Sequence, residues 1–459
     1  MIMTTTPLSI EKQIVHKQFI HSCYLKNRHG GSVIVKERIK FDDGSIVPNT
    51  VVYENPKRSF YITKNKYRTY KYKPEYELLS RLDKYTVYDH ELESAVANLF
   101  GIRGNNNYYD RNRLYKSPYI FGADISIEAL IKMRYADQFP NEHLSPSTGF
   151  LDIETSIDTG QIILISYTYN YQVYTAALES LCFEEIENKR IPINKEEITQ
   201  YINENLNSRT KDTKFTYNFE IFDSEIKLIA SIMRQIHLSR IDFIGIWNMN
   251  FDIPKILLSI KQNNVEPAVL FTSPRLAPKY RYLKYHEDQR SVAHFSLKWH
   301  WLYATGESQF VDSLGLYSQC RRTQGFLEKY DLNTVLSSQL DLEKLPLKEG
   351  SHVIMQRHHF KDYIVYNVFD VVGLQLLEDK NNDILTLSVL SGVTPVQRFS
   401  TQTIRSTNDL YHNLIAKGMV LSSCSSEDDF IKFDKLFLNS GGAVLPPSRV
   451  RDVGIELFL

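Results

Sequence analysis

Between residues 150 and 378 the sequence alternates between the two hydrophobic periods open to a folded chain, and that alternation constrains the fold more than any other feature. Residues 150–154 form a short apolar run ending in acids, and Ile162–Tyr169 forms a second apolar run. Both read as strands of a buried sheet. Residues 222–240 carry Ile226, Ile229, Met233 and Ile236 at helical spacing, 241–247 read as a third strand, and about 360–378 as a later helix. Strands alternating with helices predict an α/β architecture. Ser145, Pro146, Ser147 and Gly149 make residues 141–149 read as a linker in front of this unit. Residues 1–146 mix short β-like runs with turns such as Asp42-Asp43-Gly44, and after Lys380 the patterns are mixed again.

Composition narrows the class. The 459 residues make room for about two to four domains. Hydrophobic residues at 42% and charged residues at 24% exclude a chain that is disordered, collagen-like or coiled coil throughout. Lys+Arg and Asp+Glu both number 54, which argues against a globally basic coat protein but leaves room for a local basic patch. Cys23, Cys182, Cys320 and Cys424 are far apart and form no C-x-x-C, so no zinc ribbon or thioredoxin-like motif is present, and free thiols in a reducing compartment are expected. The first 13 residues lack a signal-peptide core, and no apolar run reaches membrane-spanning length, so a soluble intracellular protein with no membrane partner is expected.

One local patch stands out. Lys57, Arg58, Lys64, Lys66, Arg68, Lys71 and Lys73 are interleaved with Phe60, Tyr61, Tyr67, Tyr70 and Tyr72. Cations beside flat rings suit single-stranded nucleic acid, where phosphates meet charge and bases stack. A solvated amphipathic hairpin accounts for the same pattern equally well.

The acids carry the chemistry. Asp152-Ile153-Glu154 closes the first apolar strand, which puts both carboxylates on one face. Of the four D-x-E triplets, at Asp89, Asp152, Asp223 and Asp341, only this one follows a strand and precedes another. In Asn248-Met249-Asn250-Phe251-Asp252-Ile253-Pro254, Asp252 follows a hydrophobic strand, with a helix expected to open after Pro254. A plain helix N-cap is the bland reading of that Asp. In Tyr366-Asn367-Val368-Phe369-Asp370, one helical turn brings a phenol and a carboxylate to one face. Four carboxylates without a His or Cys cluster call for hard cations, Mg²⁺ or Mn²⁺. Two such ions can activate water and stabilise a leaving oxygen at a phosphodiester, with Tyr366 orienting the water.

These three clusters, in this order, resemble the three exonuclease motifs of family B DNA polymerases, within the wider ribonuclease-H-like 3′–5′ exonucleases. Asn55-Pro56-Lys57-Arg58-Ser59-Phe60-Tyr61 resembles the N-terminal domain of bacteriophage members. Asp312-Ser313-Leu314-Gly315-Leu316-Tyr317 resembles the segment between the second and third motifs, and Ser440-Gly441-Gly442-Ala443-Val444-Leu445-Pro446-Pro447 the Gly-Gly segment leading towards the polymerase site. The resemblance implies an α+β N-terminal domain over 1–146 and a ribonuclease-H-like exonuclease domain over 147–382. It further implies a return segment over 383–428 and the first strands of a palm over 429–459. It implies Asp152, Glu154, Asp252 and Asp370 as catalytic ligands of two Mg²⁺ or Mn²⁺ ions, and Tyr366 as the residue that positions water. Asn248 and Phe251, with Lys57, Arg58, Tyr61, Lys64 and Arg68, are the implied contacts to DNA. Family members commonly place four residues between the second-motif Asn and Asp. Here there are three, so Asn248 and Asn250 both match, and Lys255 stands where a Tyr is common.

The implied function is proofreading, 3′–5′ hydrolysis of single-stranded and primer-template DNA ends in the cytoplasm, that of the host cell if the protein is viral. The sequence stops before the palm Asp and S-L-Y-P-S, and no D-T-D-S occurs. Polymerisation is therefore expected to need a second polypeptide carrying palm, fingers and thumb, through which a sliding clamp can act; a truncated sequence is the other reading. Two further alternatives are a non-catalytic scaffold that binds template and partner, and a stand-alone exonuclease. His358-His359 reads as a solvated turn, and Arg321-Arg322 and residues 398–405 as surface charge.

Overall fold

The computed structural model describes residues 12–27, 30–68, 76–99, 119–140, 142–186, 189–207, 209–210, 213–290, 292, 294–325, 327–344 and 351–422. Its main body is a mixed sheet of eight strands with helices on its faces. At the centre lies the acidic strand Thr148–Thr155. On one side it pairs antiparallel with Ile162–Tyr169, which pairs antiparallel with Gln172–Leu178, which in turn runs parallel to Thr216–Phe222. On the other side it runs parallel to Phe243–Ile246, followed by Gln309–Asp312 in parallel and then Trp301–Ala304 and Leu283–His286 in antiparallel succession. Ile162–Tyr169 is buried along all but its last residue, because both faces of the sheet are covered.

The acidic strand separates two layers. In register, Tyr167 lies opposite Leu151, and its hydroxyl meets Ser239 Oγ at 2.8 Å, so the helix Glu225–Ser239 covers the Leu151 face. The alternate residues Asp152 and Glu154 face the long helix Phe360–Asn381. Gly245 lets the neighbouring strand approach: a Cβ there would collide with Ser313 Oγ and lie 2.7 Å from the Phe150 ring.

Local boundaries differ from the sequence reading in instructive ways. The helix around Asp252 spans Met249–Gln262 and contains Pro254, so it does not open after the proline. Its first turn closes earlier, where Asn248 O accepts from Phe251 N at 2.8 Å and from Asp252 N at 3.0 Å. Asn248 is the N-cap, and Asp252 sits inside the first turn. The helix expected over 222–240 begins at Glu225, because Thr216–Phe222 is a strand. The expected linker is pinned down: Ser147 N donates to Asp242 Oδ2 at 2.9 Å, Leu144 N donates to Gln18 Oε1, and residues 148 and 149 already belong to the acidic strand.

The N-terminal residues form an antiparallel meander, Ile14–Asn27, Gly30–Phe41 and Ile46–Glu54. Buried charge docks it on the large sheet: Lys36 Nζ lies 2.9 Å from Glu307 Oε2, and Arg38 Nε 2.6 Å from Asp242 Oδ2. A second small sheet pairs Lys57–Thr63 with Leu82–Tyr88 and Ile120–Phe121. After the long helix the chain returns to it. The helix Gln402–Ala416 supplies Leu410, Tyr411 and Leu414 to one core with Tyr61, Leu82, Phe121 and Met133, and Met419–Leu421 pairs with Tyr76–Leu78.

This packing corrects two of the expected DNA contacts. Arg58 is buried with Phe60 and Ile62, and its guanidinium binds Asp89 Oδ1 at 3.2 Å and the Gly122 carbonyl at 2.9 Å. Tyr61, on the opposite face of the same strand, is buried in the core shared with the return helix. Lys57 and Arg68 remain exposed and Lys64 is half-buried, donating to the Ser80 carbonyl at 2.8 Å. The strand pairs antiparallel with Leu82–Tyr88 and is buried along its last four residues. Lys71, Lys73, Tyr70, Tyr72, Cys424 and the segments 423–428 and 429–459 lie outside the described residues. Cys23, Cys182 and Cys320 are free thiols. Arg321 is no loose surface charge: it pairs with Asp383 at 2.9 Å and stacks on Tyr317. Among the described residues no helix is long and apolar enough to cross a membrane.

Candidate metal centre

The acidic strand and the long helix bring three carboxylates together. Oxygen atoms of Asp152, Glu154 and Asp370 all lie within 4.8 Å of one another, an arrangement that can hold a metal ion. The two-residue period of the strand sets Asp152 and Glu154 side by side. The long helix supplies Tyr363, Tyr366, Asn367 and Asp370 at the three- and four-residue spacing that keeps side chains on one face. Asn367, fully buried, donates from Nδ2 to Asp152 Oδ2 at 2.7 Å. Tyr363, also buried, donates from its hydroxyl to Glu154 Oε2 at 2.6 Å.

A second layer fixes Tyr363. Gln356 Nε2 lies 3.1 Å from the Tyr363 hydroxyl and donates to the Thr155 carbonyl at 2.8 Å, while Gln356 Oε1 accepts from Ile157 N at 3.2 Å. One amide therefore ties the end of the acidic strand to the phenol that holds Glu154. The Tyr363 and Tyr366 rings stack nearly parallel, with centroids 6.2 Å apart, and the His352 ring meets both edge-on.

Asp252 completes the acidic set without joining the tight triad. It is 2% exposed, and its Oδ2 has no hydrogen-bond partner among the described residues. Its carboxyl is pushed well above its ordinary range by burial, then by the charges of Glu154 and Asp370. Asp152 is raised well above its usual value by burial and then by Asp370, Asp252 and Glu154. Burial lifts Glu154 to about 7, against the Tyr363 hydrogen bond that lowers it. Four carboxylates brought together in this way carry more negative charge than one neighbouring cation offsets, and a buried carboxylate oxygen with no donor fits a site for a hard cation.

One cation is already present. Lys344 Nζ lies 2.6 Å from Asp370 Oδ1 and 3.4 Å from the Tyr366 hydroxyl, above the Tyr366 ring. Burial pulls its ammonium down, but Asp370, Tyr366 and Asp152 more than offset that. The sequence reading missed Lys344, Tyr363, Asn367, Gln356 and His352. Tyr363 and Asn367 were in reach, since they share the helical face of Tyr366 and Asp370. Lys344 carries no periodic signal and reaches the site across 26 residues of chain.

Asn248 and Phe251 flank Asp252 at the open end of its helix, and both are exposed, as is Asn250. Lys57, Lys64 and Arg68 lie on the small sheet and the turn after it rather than among the acids. No protein-family model matches the sequence, and no curated protein matches it.

Proposed function

We propose that this protein is a metal-dependent 3′–5′ exonuclease acting on DNA ends, built on a ribonuclease-H-like sheet and related to the editing part of family B DNA polymerases. The observation that carries the reading is the meeting of Asp152, Glu154 and Asp370 beside the unpartnered Asp252 carboxylate. In this proposal the four acids hold two Mg²⁺ or Mn²⁺ ions, which supply water activation and charge stabilisation at the leaving oxygen. The chain's own residues do the rest. Tyr363 and Asn367 hold Glu154 and Asp152 in one orientation. The Tyr366 phenol, raised in pKa by burial, stays protonated at neutral pH and presents its hydroxyl to an attacking water. Lys344, held by Asp370, adds a positive charge for the phosphate. Exposed Phe251 offers a face on which a terminal base stacks, and Asn248 or Asn250 a hydrogen bond beside it. Polymerisation by a palm-bearing second chain is a separate proposal that these residues do not bear on.

The test is a double substitution. Asp152→Ala with Glu154→Ala abolishes Mg²⁺-dependent degradation of single-stranded DNA while the circular dichroism spectrum is retained. Undiminished Mg²⁺-dependent cleavage by the folded double variant overturns the assignment.

A further inference from the structure

We propose that the cleft where the N-terminal meander meets the return segment binds a phosphate-bearing anion, held by Lys132, His16 and His143. The cleft has a volume of about 550 Å³ and shares no residue with the acid cluster. It is lined from four directions: by His16 on the first strand, Lys132 and Phe139 on and after the helix Ile127–Gln138, His143 on the pinned linker, and Ser388 from the return segment.

None of the three basic groups forms an ion pair among the described residues, although the charge of Asp409 reaches Lys132 and that of Glu142 reaches His16. Lys132 is 9% exposed. Its Nζ donates to the Thr394 carbonyl at 2.8 Å and lies 5.7 Å from the centre of the Phe19 ring, but no carboxylate among the described residues forms an ion pair with it. A buried ammonium left this way is costly unless a negative charge joins it. His16 is 5% exposed, and its Nε2 has no hydrogen-bond partner among the described residues. His143 Nε2 stands 3.3 Å from both Gln18 Nε2 and Ser388 Oγ. A tetrahedral oxyanion has enough acceptor oxygens to take donors from all three. The cleft also exceeds a bare phosphate in size, with the Phe139 ring edge-on to His16 at 5.6 Å, so a phosphate ester of a small molecule fits as well.

The surrounding acids are already engaged. Glu142 pairs with Lys40, Asp137 with His412 at 2.7 Å, and Glu37 with Lys17 at 3.6 Å, while Asp409 Oδ1 accepts from Val393 N at 3.2 Å. Among the described residues the acid triad is the one group of three or more such side chains whose ligand atoms converge, and the histidines of the cleft are not part of it. Burial lowers Lys132 to about 7, with Asp409 opposing, and lowers His16 and His143, the latter also through Lys132 and His16. A bound anion favours the protonated form of each of these groups.

The experiment titrates the whole chain with inorganic phosphate in EDTA, so that metal at the acid cluster plays no part, and reads heat of binding and the thermal midpoint. Saturable binding at about pH 6 is expected. Lys132→Met, which removes a buried charge and keeps the fold, weakens it by about tenfold or more, the weight of one charge-assisted hydrogen bond. His16→Gln weakens it too. Parallel arms with pyrophosphate and a deoxynucleoside monophosphate distinguish free phosphate from a nucleotide as the source. No saturable binding in any arm at about pH 6, or equal affinity in folded Lys132→Met, overturns the proposal.

Discussion

Removing the Tyr363 hydroxyl separates the orientation of Glu154 from its presence. In the wild type that hydroxyl donates to Glu154 Oε2 at 2.6 Å. A hydrogen bond to a charged acceptor contributes about 1.5–3 kcal/mol, and about 1.4 kcal/mol is a factor of ten. Partners that orient metal ligands cost about 10–100-fold in affinity or activity when removed, so the two scales agree. Phe keeps the stack on Tyr366 and the edge contact with His352, so the packing is retained and the fold should lose no more than the about 1.5–3 kcal/mol of that bond. Glu154 should also become harder to ionise. Burial raises its carboxyl and the Tyr363 hydrogen bond is the opposing influence, so Tyr363→Phe moves it above about 7. Metal must then displace a proton, and the defect grows as pH falls. The expected result is kcat on single-stranded DNA lowered by about 10–100-fold, with KM little changed and a higher Mg²⁺ concentration at half-saturation. Wild-type kcat together with wild-type Mg²⁺ dependence would refute the view that this phenol positions the acid.

Two other perturbations probe charge. Asp252→Asn removes a buried, unpartnered carboxylate, so in EDTA its thermal midpoint should match or exceed that of the wild type while nuclease activity is lost; a clear drop in midpoint would contradict the repulsion inferred here. Glu128, bonded to Ser22 and Gln397, is pushed up to about 7 by burial. A carboxyl raised in the folded state binds more protons there than in the unfolded chain, so its contribution is fully present below about 4.5 and is lost as pH rises through about 7. Urea denaturation across that window should show the wild type losing at most about 3 kcal/mol to this group, and Glu128→Gln flattening the slope; parallel slopes would argue against it.

Three of the eight strands of the sheet were legible as apolar runs, at 150–154, 162–169 and 241–247, and the other five were not. Ile162–Tyr169 forms with the bounds its apolar run predicts, and the long helix runs to Asn381, three residues past the expected end. Asp152, Glu154 and Asp370 were legible because each sits at the spacing its element dictates. The basic-aromatic patch misled for a related reason. A two-residue period through residues 57–63 places Arg58 with Phe60 and Ile62 on an inward face, whereas charge alone places it in solvent. Tyr61 could not be read from its neighbours, because part of the core that buries it comes from helix Gln402–Ala416, more than three hundred residues on. Lys344 escaped in the same way, since its meaning lies in a contact with Asp370 and in no local pattern.

The return of the chain to its beginning sets an order on biosynthesis. Tyr61, Leu82, Phe121 and Met133 leave the ribosome early, yet their apolar faces are closed by Val393, Leu410, Tyr411 and Leu414. At about 5–20 residues per second, translation from Met133 to Val393 takes roughly 13–50 s. Through that interval the large sheet can assemble while the first core waits uncovered, so the nascent N-terminal segment is where chaperones have the most to protect.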